Sequence, residues 1–542
     1  MTNLSFHSTN ETLKQQIGQM VVVRASGHLF DQQIRFPTWE VPNTQLRHWL
    51  QTLNLGGIIL LGGTGAELAL RTQQLQQWSK TPLLVAADTE EGVGQRFSGA
   101  TWFPPPMALG SIAIAKQDLG KAIEYATKMG MITAQEALAI GINWILAPIV
   151  DVNNNPENPV INIRSFSNNP EIVSHLATAF IDGAKTYKVL TTAKHFPGHG
   201  DTDTDSHLDL PVIPHQTRRL EEVELVPFKK AIEAGVDSVM TAHLLIQAWD
   251  EQKPATLSKK ILTGQLRKKL GFEGLIVTDA LVMGGITNYA TSEEVAVMAV
   301  EAGADILLMP HDPQKTIEAV YQAVKSGRIT CERIEASLAR IRHAKQKVST
   351  TISSSENQLL SSLSQLSQPI SKEIVVHILQ YSSEKGGNLP LKKKLKQRNL
   401  IVVDDLLNCD FLDRQTPAVT IPKQLGYNLQ LVDENTLGFV LKDNRNTLLQ
   451  IFVRGNPFRG NAGLTDRVQK IYKKLLKYKI VKGLIIYGSP YVRDWFLNET
   501  KVLKDDLPWV FSYGQMAEGQ DISCKTLFGL SEVSGNLQDT FL

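Results

Sequence analysis

Short apolar runs alternate with amphipathic stretches through the N-terminal part of the chain. The stretches between the runs carry apolar residues at helical spacing, as in NTQLRHWLQTL and SEEVAVMAVEAG. Eight runs are rich in Val, Ile and Leu, at 20–25, 56–62, 82–88, 142–150, 189–196, 236–243, 274–280 and 304–310. Strand alternating with helix predicts parallel βαβ units, and near-continuous apolar strands indicate a sheet buried on both faces. Eight such units predict an α/β protein with a (β/α)8 barrel; a doubly wound open sheet is the alternative.

The pattern also predicts a second domain. A last helix near 330–347 closes the barrel, so the catalytic barrel is expected to span 1–347. The Ser-rich, weakly charged segment 348–371 is interpreted as a linker. Strand-like and helix-like runs then resume, and 372–542 is predicted to be a smaller α/β sandwich without a dense chemical motif.

Composition narrows the function classes. The 542 residues carry a formal net charge of +2, which argues against a nucleic-acid binder, since such proteins show a basic stripe. Two basic runs, 391–398 and 472–479, have helical spacing and are interpreted as solvated helix faces. Three widely spaced cysteines without a CxxC motif favour neither a metal site nor a disulfide framework.

The sequence shows neither a secretory signal nor a membrane span. The N-terminus lacks a basic region followed by an apolar core, and no apolar run reaches about 18 residues. We therefore expect a cytoplasmic protein.

Polar residues stand where the predicted barrel strands end. The active sites of such barrels lie at the carboxyl ends of the strands, so a site is expected there. Six such residues follow or close the third to seventh strands, namely Asp88, Asp151, Lys194, His195, His243 and Asp279.

The loop KHFPGHGDTDTDSH, residues 194–207, concentrates titratable groups. Alternating aspartates resemble the start of a calcium loop, but the Gly and Glu required later in an EF-hand are absent. A zinc site on His195, His199 and His207, or a Schiff-base lysine at Lys194, is a further alternative.

Acid–base chemistry is the remaining interpretation of this loop. Asp205 and His207 can share a hydrogen bond that sets the imidazole tautomer. A separate carboxylate, Asp279, stands at another strand end, and the two groups would suit a retaining glycoside hydrolase with a histidine in place of one acid. On local pattern alone, Asp279 could instead cap a helix.

Three further segments stand beside KHFPGHGDTDTDSH, namely APIVDVNNNPENPVINIRSFS (147–167), ADTEEGVGQRF (87–97) and GLIVTDALVMGGI (274–286). Together the four segments resemble glycoside hydrolase family 3, and within it the bacterial β-N-acetylhexosaminidases. The resemblance covers the barrel half, and the segment 513–529 resembles the terminal segment of two-domain members.

The resemblance implies roles for individual residues. Asp279 would be the nucleophile, and His207 the general acid and base with Asp205 as its partner. Met283 would line the pocket, although a place in a helix core is an equal interpretation. The sugar hydroxyls would be bound by Asp88, Arg96, Arg164, Lys194 and His195. Asp151 and Asn153 are expected to hold the 151–164 loop.

The chain departs from the family pattern at three positions. Thr89 and Glu91 replace Gln and Gly, and Asn162 stands where Gly is common. If position 162 required a positive φ, Asn would be the best substitute for Gly.

The resemblance also implies a substrate. Terminal β-linked N-acetylglucosamine on peptidoglycan fragments is expected as the small-carbohydrate partner, with no cofactor, no metal and no nucleic acid, and the oligomeric state is left open. A broader exo-β-glycosidase, a phosphorylase and a non-catalytic sugar-binding protein are the alternatives. The second domain would be a scaffold or a wall of the aglycone site. Gly198 and Gly200 suggest a loop that closes on substrate, although they could merely permit a turn.

Overall fold

The computed structural model describes residues 12–348, 356–392, 397–407, 409–454, 463–503 and 506–530. The chain divides into two compact units, Met1–Lys372 and Glu373–Leu542.

Eight short parallel strands form the centre of the first unit. They are β1 Val21–Ser26, β2 Gly57–Leu61, β3 Leu84–Ala87, β4 Trp144–Ile145, β5 Thr192–Phe196, β6 Ser238–Thr241, β7 Leu275–Val277 and β8 Leu307–Leu308. Most of their residues are buried, as the apolar runs predicted.

The strands close into a barrel. Hydrogen bonding orders them as β8–β1–β2–β3–β4 and β5–β6–β7. Parallel bridges between Trp144 and Leu190 and between Val277 and Ile306 join the two sets at both ends. The (β/α)8 barrel is thereby confirmed, because an open doubly wound sheet would leave two edges unpaired.

Helices follow the strands as the periodicity predicted, although Lys260–Lys269 is a π-helix. The α-helices that lie in the first unit are Leu13–Gly18, Asn43–Thr52, Gly65–Trp78, Met107–Ala115, Leu119–Ala139, Pro170–Ala184, Thr217–Glu222, Leu225–Glu233, Gly284–Thr287, Ser292–Ala302, Pro313–Lys325, Cys331–Val348 and Glu356–Leu363. Short 3-10 helices lie at Asp31–Gln33, Val93–Gln95, Asn162–Arg164 and Ala255–Leu257, and a two-stranded ribbon joins Val212–Ile213 to Leu245–Ile246.

Side-chain caps explain where several of these helices begin. Thr64, Asp118, Asn169, Thr291 and Asp312 each accept a hydrogen bond from a backbone N–H in the first turn. Such caps satisfy N–H groups that the helix itself leaves without partners.

Part of the segment interpreted as a linker is folded. The helix Glu356–Leu363 lies within 348–371, and the amide of Ser367 donates to Glu136 Oε1 over 2.7 Å. Glu136 is buried and also accepts from Thr101, so it needs these donors. The described part of this segment therefore packs within the first unit, which extends to Lys372.

The second unit contains a six-stranded sheet. In spatial order its strands are Glu384–Gly386, Trp509–Ser512, Val481–Gly488, Thr447–Val453, Gln397–Val403 and Tyr427–Asp433, and only the first pairs antiparallel. Its helices are Pro417–Gln424, Asp466–Lys477, Pro490–Leu503 and Ala517–Phe528, with a 3-10 helix at Leu437–Lys442. The α-helix Pro369–Ser382 spans the division between the units.

The two basic runs differ in structure. Most of the run 472–479 lies on the helix Asp466–Lys477, as predicted. In the run 391–398, positions 393–396 lie outside the described residues, and Arg398 is buried in a strand, where its Nε donates to Thr447 Oγ1. The prediction of a solvated helix face is wrong for Arg398, because its guanidinium is hydrogen-bonded inside the sheet.

Candidate active site

The polar residues singled out at the strand ends all lie on one face of the barrel. Asp88 follows β3, Lys194 and His195 lie in β5, and Asp279 follows β7. In a parallel barrel the carboxyl ends of the strands surround a single opening. The closed barrel therefore brings together residues that are far apart in sequence.

Asp151 holds the segment that carries His195 and His199. Its Oδ2 lies 2.8 Å from His195 Nδ1, and its carboxylate accepts from the amides of His195 (3.1 Å) and His199 (2.7 Å). Burial alone would raise the pKa of Asp151, but the His195 imidazole and these hydrogen bonds lower it. An ionised Asp151 thus fixes the backbone and the imidazole orientation at His195.

Four charged side chains form a connected series of ion pairs that is largely buried except at Asp88. Lys194 Nζ lies 2.7 Å from Asp88 Oδ1 and 2.6 Å from Glu90 Oε1. Arg164 binds Glu90 through both Nε (2.9 Å) and Nη2 (2.8 Å). Arg96 is not one of these ion pairs, but it lies beside them, since its Nε donates a hydrogen bond to the backbone oxygen of Asp88. Alternating signs allow these charges to remain ionised in a buried setting.

The electrostatics argue against a Schiff-base lysine. Burial works against the charge of Lys194, but Asp88 and Glu90 outweigh it and raise its pKa. A nucleophilic lysine requires a lowered pKa. Lys194 is therefore a permanent cation of the site.

Asp279 lies among imidazoles. Burial would raise its pKa, but His195, His243 and His207 together hold the pKa below the usual value for aspartate. The side chain also accepts from the amide of Ala280 at 2.8 Å. This environment keeps a carboxylate ionised at the end of β7.

His207 and Asp205 form the hydrogen-bonded pair that their spacing predicted. His207 Nδ1 lies 2.8 Å from Asp205 Oδ1, which also accepts from the His207 amide at 2.9 Å. Asp205 is buried, whereas the His207 side chain is 18% exposed. The carboxylate thus orients the imidazole ring of His207 and favours the tautomer that carries its proton on Nδ1.

The loop between His195 and His207 is anchored at several points. His199 Nδ1 contacts Thr202 Oγ1 (3.0 Å), and its Nε2 contacts Ser206 Oγ (2.8 Å). Burial, with a smaller effect of His195, lowers the pKa of His199 to about 4, so the ring is neutral near pH 7. Its two ring nitrogens therefore act as one donor and one acceptor within the loop.

The loop glycines have packing roles. A Cβ on Gly200 would lie 1.7 Å from Val152 O, and Gly198 has a φ of +127° beside Glu224. These observations favour the interpretation in which both glycines permit a tight turn, and they do not require a mobile hinge.

Most side chains of the metal alternatives have hydrogen-bond partners within the protein. Both ring nitrogens of His199 are hydrogen-bonded within the loop. Asp201 pairs with His215, while Asp205 pairs with His207. Across the described ranges, no three His, Cys, Asp or Glu side chains are grouped to hold a metal ion.

The 151–164 loop contains the departure at Asn162. Its φ is +44°, so Asn occupies the left-handed conformation that explains why Gly suits this position. Asn158 donates to the backbone oxygens of His199 and Gly200 and accepts from two amides of its own loop. The backbone oxygen of Asp151 accepts from Ser165 Oγ, which ties the ends of the loop together. The Asp151 carboxylate, however, holds the His195 segment instead.

The structure gives three residues of the site contacts that were not predicted from the sequence. Glu90 is the acidic partner of both Lys194 and Arg164; its alternation with Asp88 in DTEEG was an available signal. His199 and Asn158 anchor the loop, and their roles depend on contacts that a sequence pattern does not reveal.

Met283 is buried directly before the short helix Gly284–Thr287.

His243 supports the backbone beside Asp279. Its Nε2 lies 3.1 Å from Ala280 O, and its Nδ1 lies 2.9 Å from Thr256 Oγ1. Burial lowers its pKa, so the neutral ring donates a hydrogen bond through Nε2–H to the Ala280 carbonyl, and Nδ1 is the acceptor toward the Thr256 hydroxyl.

Comparison with known proteins covers both units. Residues 12–344 match the glycosyl hydrolase family 3 N-terminal domain, and 390–529 match the bacterial glycosyl hydrolase family 3 C-terminal domain. A solved glycoside hydrolase family 3 beta-N-acetylglucosaminidase from Paenibacillus sp. str. FPU-7 is similar with a TM-score of 0.78 at 30% identity, over 96% of this chain and 97% of that chain.

Curated relatives are named beta-hexosaminidases. Beta-hexosaminidase A of Pseudoalteromonas piscicida is 34% identical over 362 residues, which is 62% of this chain. The match spans 59% of that relative's own length, less than two thirds of it. A beta-hexosaminidase of Tolumonas auensis is 38% identical over 266 residues, 48% of this chain and 77% of that protein.

The barrel, its charged carboxyl face and these matches define a glycoside hydrolase. The chain belongs to glycosyl hydrolase family 3. This confirms the family that the sequence segments resembled. As a separate finding, none of the helices in the described ranges is long and apolar enough to cross a bilayer.

Glu90→Gln is expected to destabilise the protein by about 3–5 kcal/mol, because it leaves two buried cations without their shared carboxylate. Urea unfolding of the full chain, followed by fluorescence, measures the change. The exposed Glu157 provides the matched control, since Glu157→Gln is expected to stay within about 0.5 kcal/mol.

The loss of unfolding free energy caused by Glu90→Gln is expected to depend on pH. Arg164 and Lys194 hold the pKa of Glu90 well below its usual value against the effect of burial. A depressed folded-state pKa contributes stability that is complete above the ordinary glutamate pKa of about 4.3 and is lost as the pH falls toward the folded-state value. The difference between wild type and Glu90→Gln should therefore shrink below about pH 4. A difference that does not vary with pH would contradict this assignment.

Proposed function

We propose that this family 3 glycoside hydrolase is a retaining exo-β-N-acetylglucosaminidase. Asp279 is the nucleophile, His207 is the general acid and base, and Asp205 orients His207. The observation that carries the proposal is the position of Asp279 after β7, on the barrel face that also holds the hydrogen-bonded His207–Asp205 pair, with imidazoles that lower the pKa of Asp279.

In the first step, an Asp279 oxygen attacks the anomeric carbon. The bond to the glycosidic oxygen breaks, and that oxygen takes the proton from His207 Nε2. Asp205 accepts from Nδ1–H and stabilises the imidazolium before the transfer. The product of this step is a glycosyl ester on Asp279 and a free aglycone alcohol.

In the second step, neutral His207 acts as the base. Its Nε2 removes a proton from water while the water oxygen attacks the anomeric carbon. The ester bond to Asp279 breaks, which restores the carboxylate and the imidazolium. Two inversions give a sugar of retained configuration.

The sugar ring is proposed to bind over the buried ion pairs. Asp88 is the most exposed member, with 31% of its side chain accessible, and only one of its oxygens contacts Lys194. Asp88 and Lys194 are therefore suited to the sugar hydroxyls, with Arg96, His195 and Met283 beside them. Arg164 is largely occupied by Glu90 and Val160 O, which suits a role in positioning.

The N-acetylglucosamine specificity is supported by the names of the relatives, and peptidoglycan fragments are the proposed source. The enzyme should cleave 4-nitrophenyl β-N-acetylglucosaminide at least about 10-fold faster than the β-glucoside or β-xyloside, since pocket contacts discriminate between substrates by this order. N-acetylglucosamine should also be released from purified muropeptides. Comparable rates on all three aryl glycosides would favour the broader exo-β-glycosidase.

Added phosphate distinguishes hydrolysis from phosphorolysis in the same assay. A neutral imidazole repels phosphate less than a carboxylate base would. Hydrolysis predicts free N-acetylglucosamine as the product at every phosphate concentration. Accumulation of the glycosyl phosphate would instead assign a phosphorylase.

Asp279→Ala should lower turnover on every substrate by at least about 10⁴-fold, because it removes the carboxylate that forms the ester. A 5-fluoro-N-acetylglucosaminyl fluoride should trap the sugar on the wild-type peptide that contains Asp279, as read by mass spectrometry. Asp203→Ala, an exposed carboxylate of the histidine loop, is the matched control and should retain activity. A label on another side chain would remove Asp279 as the nucleophile.

His207→Ala should show an effect that depends on the leaving group. General acid catalysis contributes about 10²–10⁴-fold, and that factor should be lost in kcat/KM on N,N′-diacetylchitobiose. On a 2,4-dinitrophenyl glycoside the leaving group needs no proton, so kcat/KM should change little. An equal loss on both substrates would count against the proposed role.

A further inference from the structure

Two glycines that follow Asp279 in the sequence donate hydrogen bonds to the backbone of the histidine loop. Gly284 N–H donates to His207 O at 3.0 Å, and Gly285 N–H donates to Ser206 O at 3.1 Å. Both lie in the short helix Gly284–Thr287, which follows the segment that carries Asp279. We refer to Gly284 and Gly285 as the glycine pair.

The glycine pair leaves no space for a side chain. A Cβ on Gly284 would lie 2.5 Å from Leu208 O and 2.9 Å from His207 O. A Cβ on Gly285 would lie 2.8 Å from Ser206 O and 2.9 Å from Asp209 O. These are backbone atoms, so the contact cannot be relieved by rotating a flexible side chain. Either methyl group would push the loop 206–209 away from the Asp279 segment.

Backbone conformation does not explain the glycines. Neither residue is among those with positive φ, and glycine is less favourable than alanine inside a helix. The close approach of the loop is therefore the physical reason for glycine at these two positions.

The loop is also held by hydrogen bonds between its own residues. His199 Nε2 contacts Ser206 Oγ, and the amides of Leu208 and Asp209 donate to Asp205 O. These contacts shape the loop internally. The glycine pair alone, among the contacts named here, joins the His207 backbone to the segment after Asp279.

We propose that Gly284 and Gly285 are positioning residues that set the distance between the His207 imidazole and Asp279. This inference rests on the proposed roles of those two residues. Docking of the loop against the glycine pair places Nε2 at the departing oxygen, while attack by Asp279 does not require the loop.

Gly284→Ala and Gly285→Ala test the proposal in the full-length enzyme. Each should lower kcat/KM on N,N′-diacetylchitobiose by at least about 10-fold, a part of the general-acid contribution. On the 2,4-dinitrophenyl glycoside, kcat/KM should stay near the wild-type value, while kcat and KM fall together as the glycosyl ester accumulates. Sodium azide should raise kcat on this substrate and yield the glycosyl azide.

Gly120→Ala is the matched control. Gly120 is exposed near the start of a helix, and its nearest neighbour to an added Cβ is Asp118 Oδ1 at 3.9 Å. The control should match wild type on both substrates. If the variants of the glycine pair also match wild type, or lose activity equally on both substrates without response to azide, the proposal is overturned.

His207→Ala separates this proposal from the proposed function. If His207→Ala itself lacks leaving-group dependence, the acid–base assignment fails. If His207→Ala shows it and the glycine variants do not, only the role of the glycine pair fails.

Amide hydrogen exchange of the wild-type enzyme tests the contact without any substitution, in case a variant does not fold. The Gly284 and Gly285 amides should be protected, and they should open together with the amides of Leu208 and Asp209. Exchange of the two glycine amides at the rate of an unstructured peptide would overturn the proposal, as would opening of the loop while they stay protected.

Discussion

The buried carboxylate of Asp151 is the interaction on which the site most depends. It accepts hydrogen bonds from the backbone of His195 and His199 and lies against the His195 imidazole. His199 in turn contacts Ser206, next to His207. Asp151, which follows β4, thus fixes the start of the histidine loop. The end of the same loop carries His207, the proposed acid and base. The ionisation of Asp151 is maintained because several donors converge on it.

Charge balance is the second constraint on this face. Asp88, Lys194, Glu90 and Arg164 alternate in sign, so each buried charge has a partner of opposite charge. At Asp279 the charged groups that lower the pKa most are the imidazoles of His195, His243 and His207. A carboxylate that is ionised but not held in a strong ion pair is suited to attack a carbon atom, which separates the proposed nucleophile from the carboxylates that hold the pocket together.

The site could be predicted in part from the order of residues along the chain. The Asp205–His207 pair follows from local spacing, and the strand-end positions of Asp88, Lys194 and Asp279 follow from the βαβ pattern. The partners Glu90 of Arg164 and Asp151 of His195 could not be derived in this way, because each contact joins segments that belong to different βα units of the barrel. The glycines show the same limit: Gly198 and Gly200 suggested mobility, whereas Val152 and Glu224 pack directly against them.

The sequence by itself determined the barrel, the second α/β domain and the family, because hydrophobic periodicity and turn residues act over short stretches of chain. The tertiary structure decided which charges pair, why Lys194 remains protonated and where the histidine loop docks. Those properties depend on burial and on distances between atoms that lie tens to hundreds of residues apart in the chain. Only the closed barrel brings such atoms within hydrogen-bonding distance.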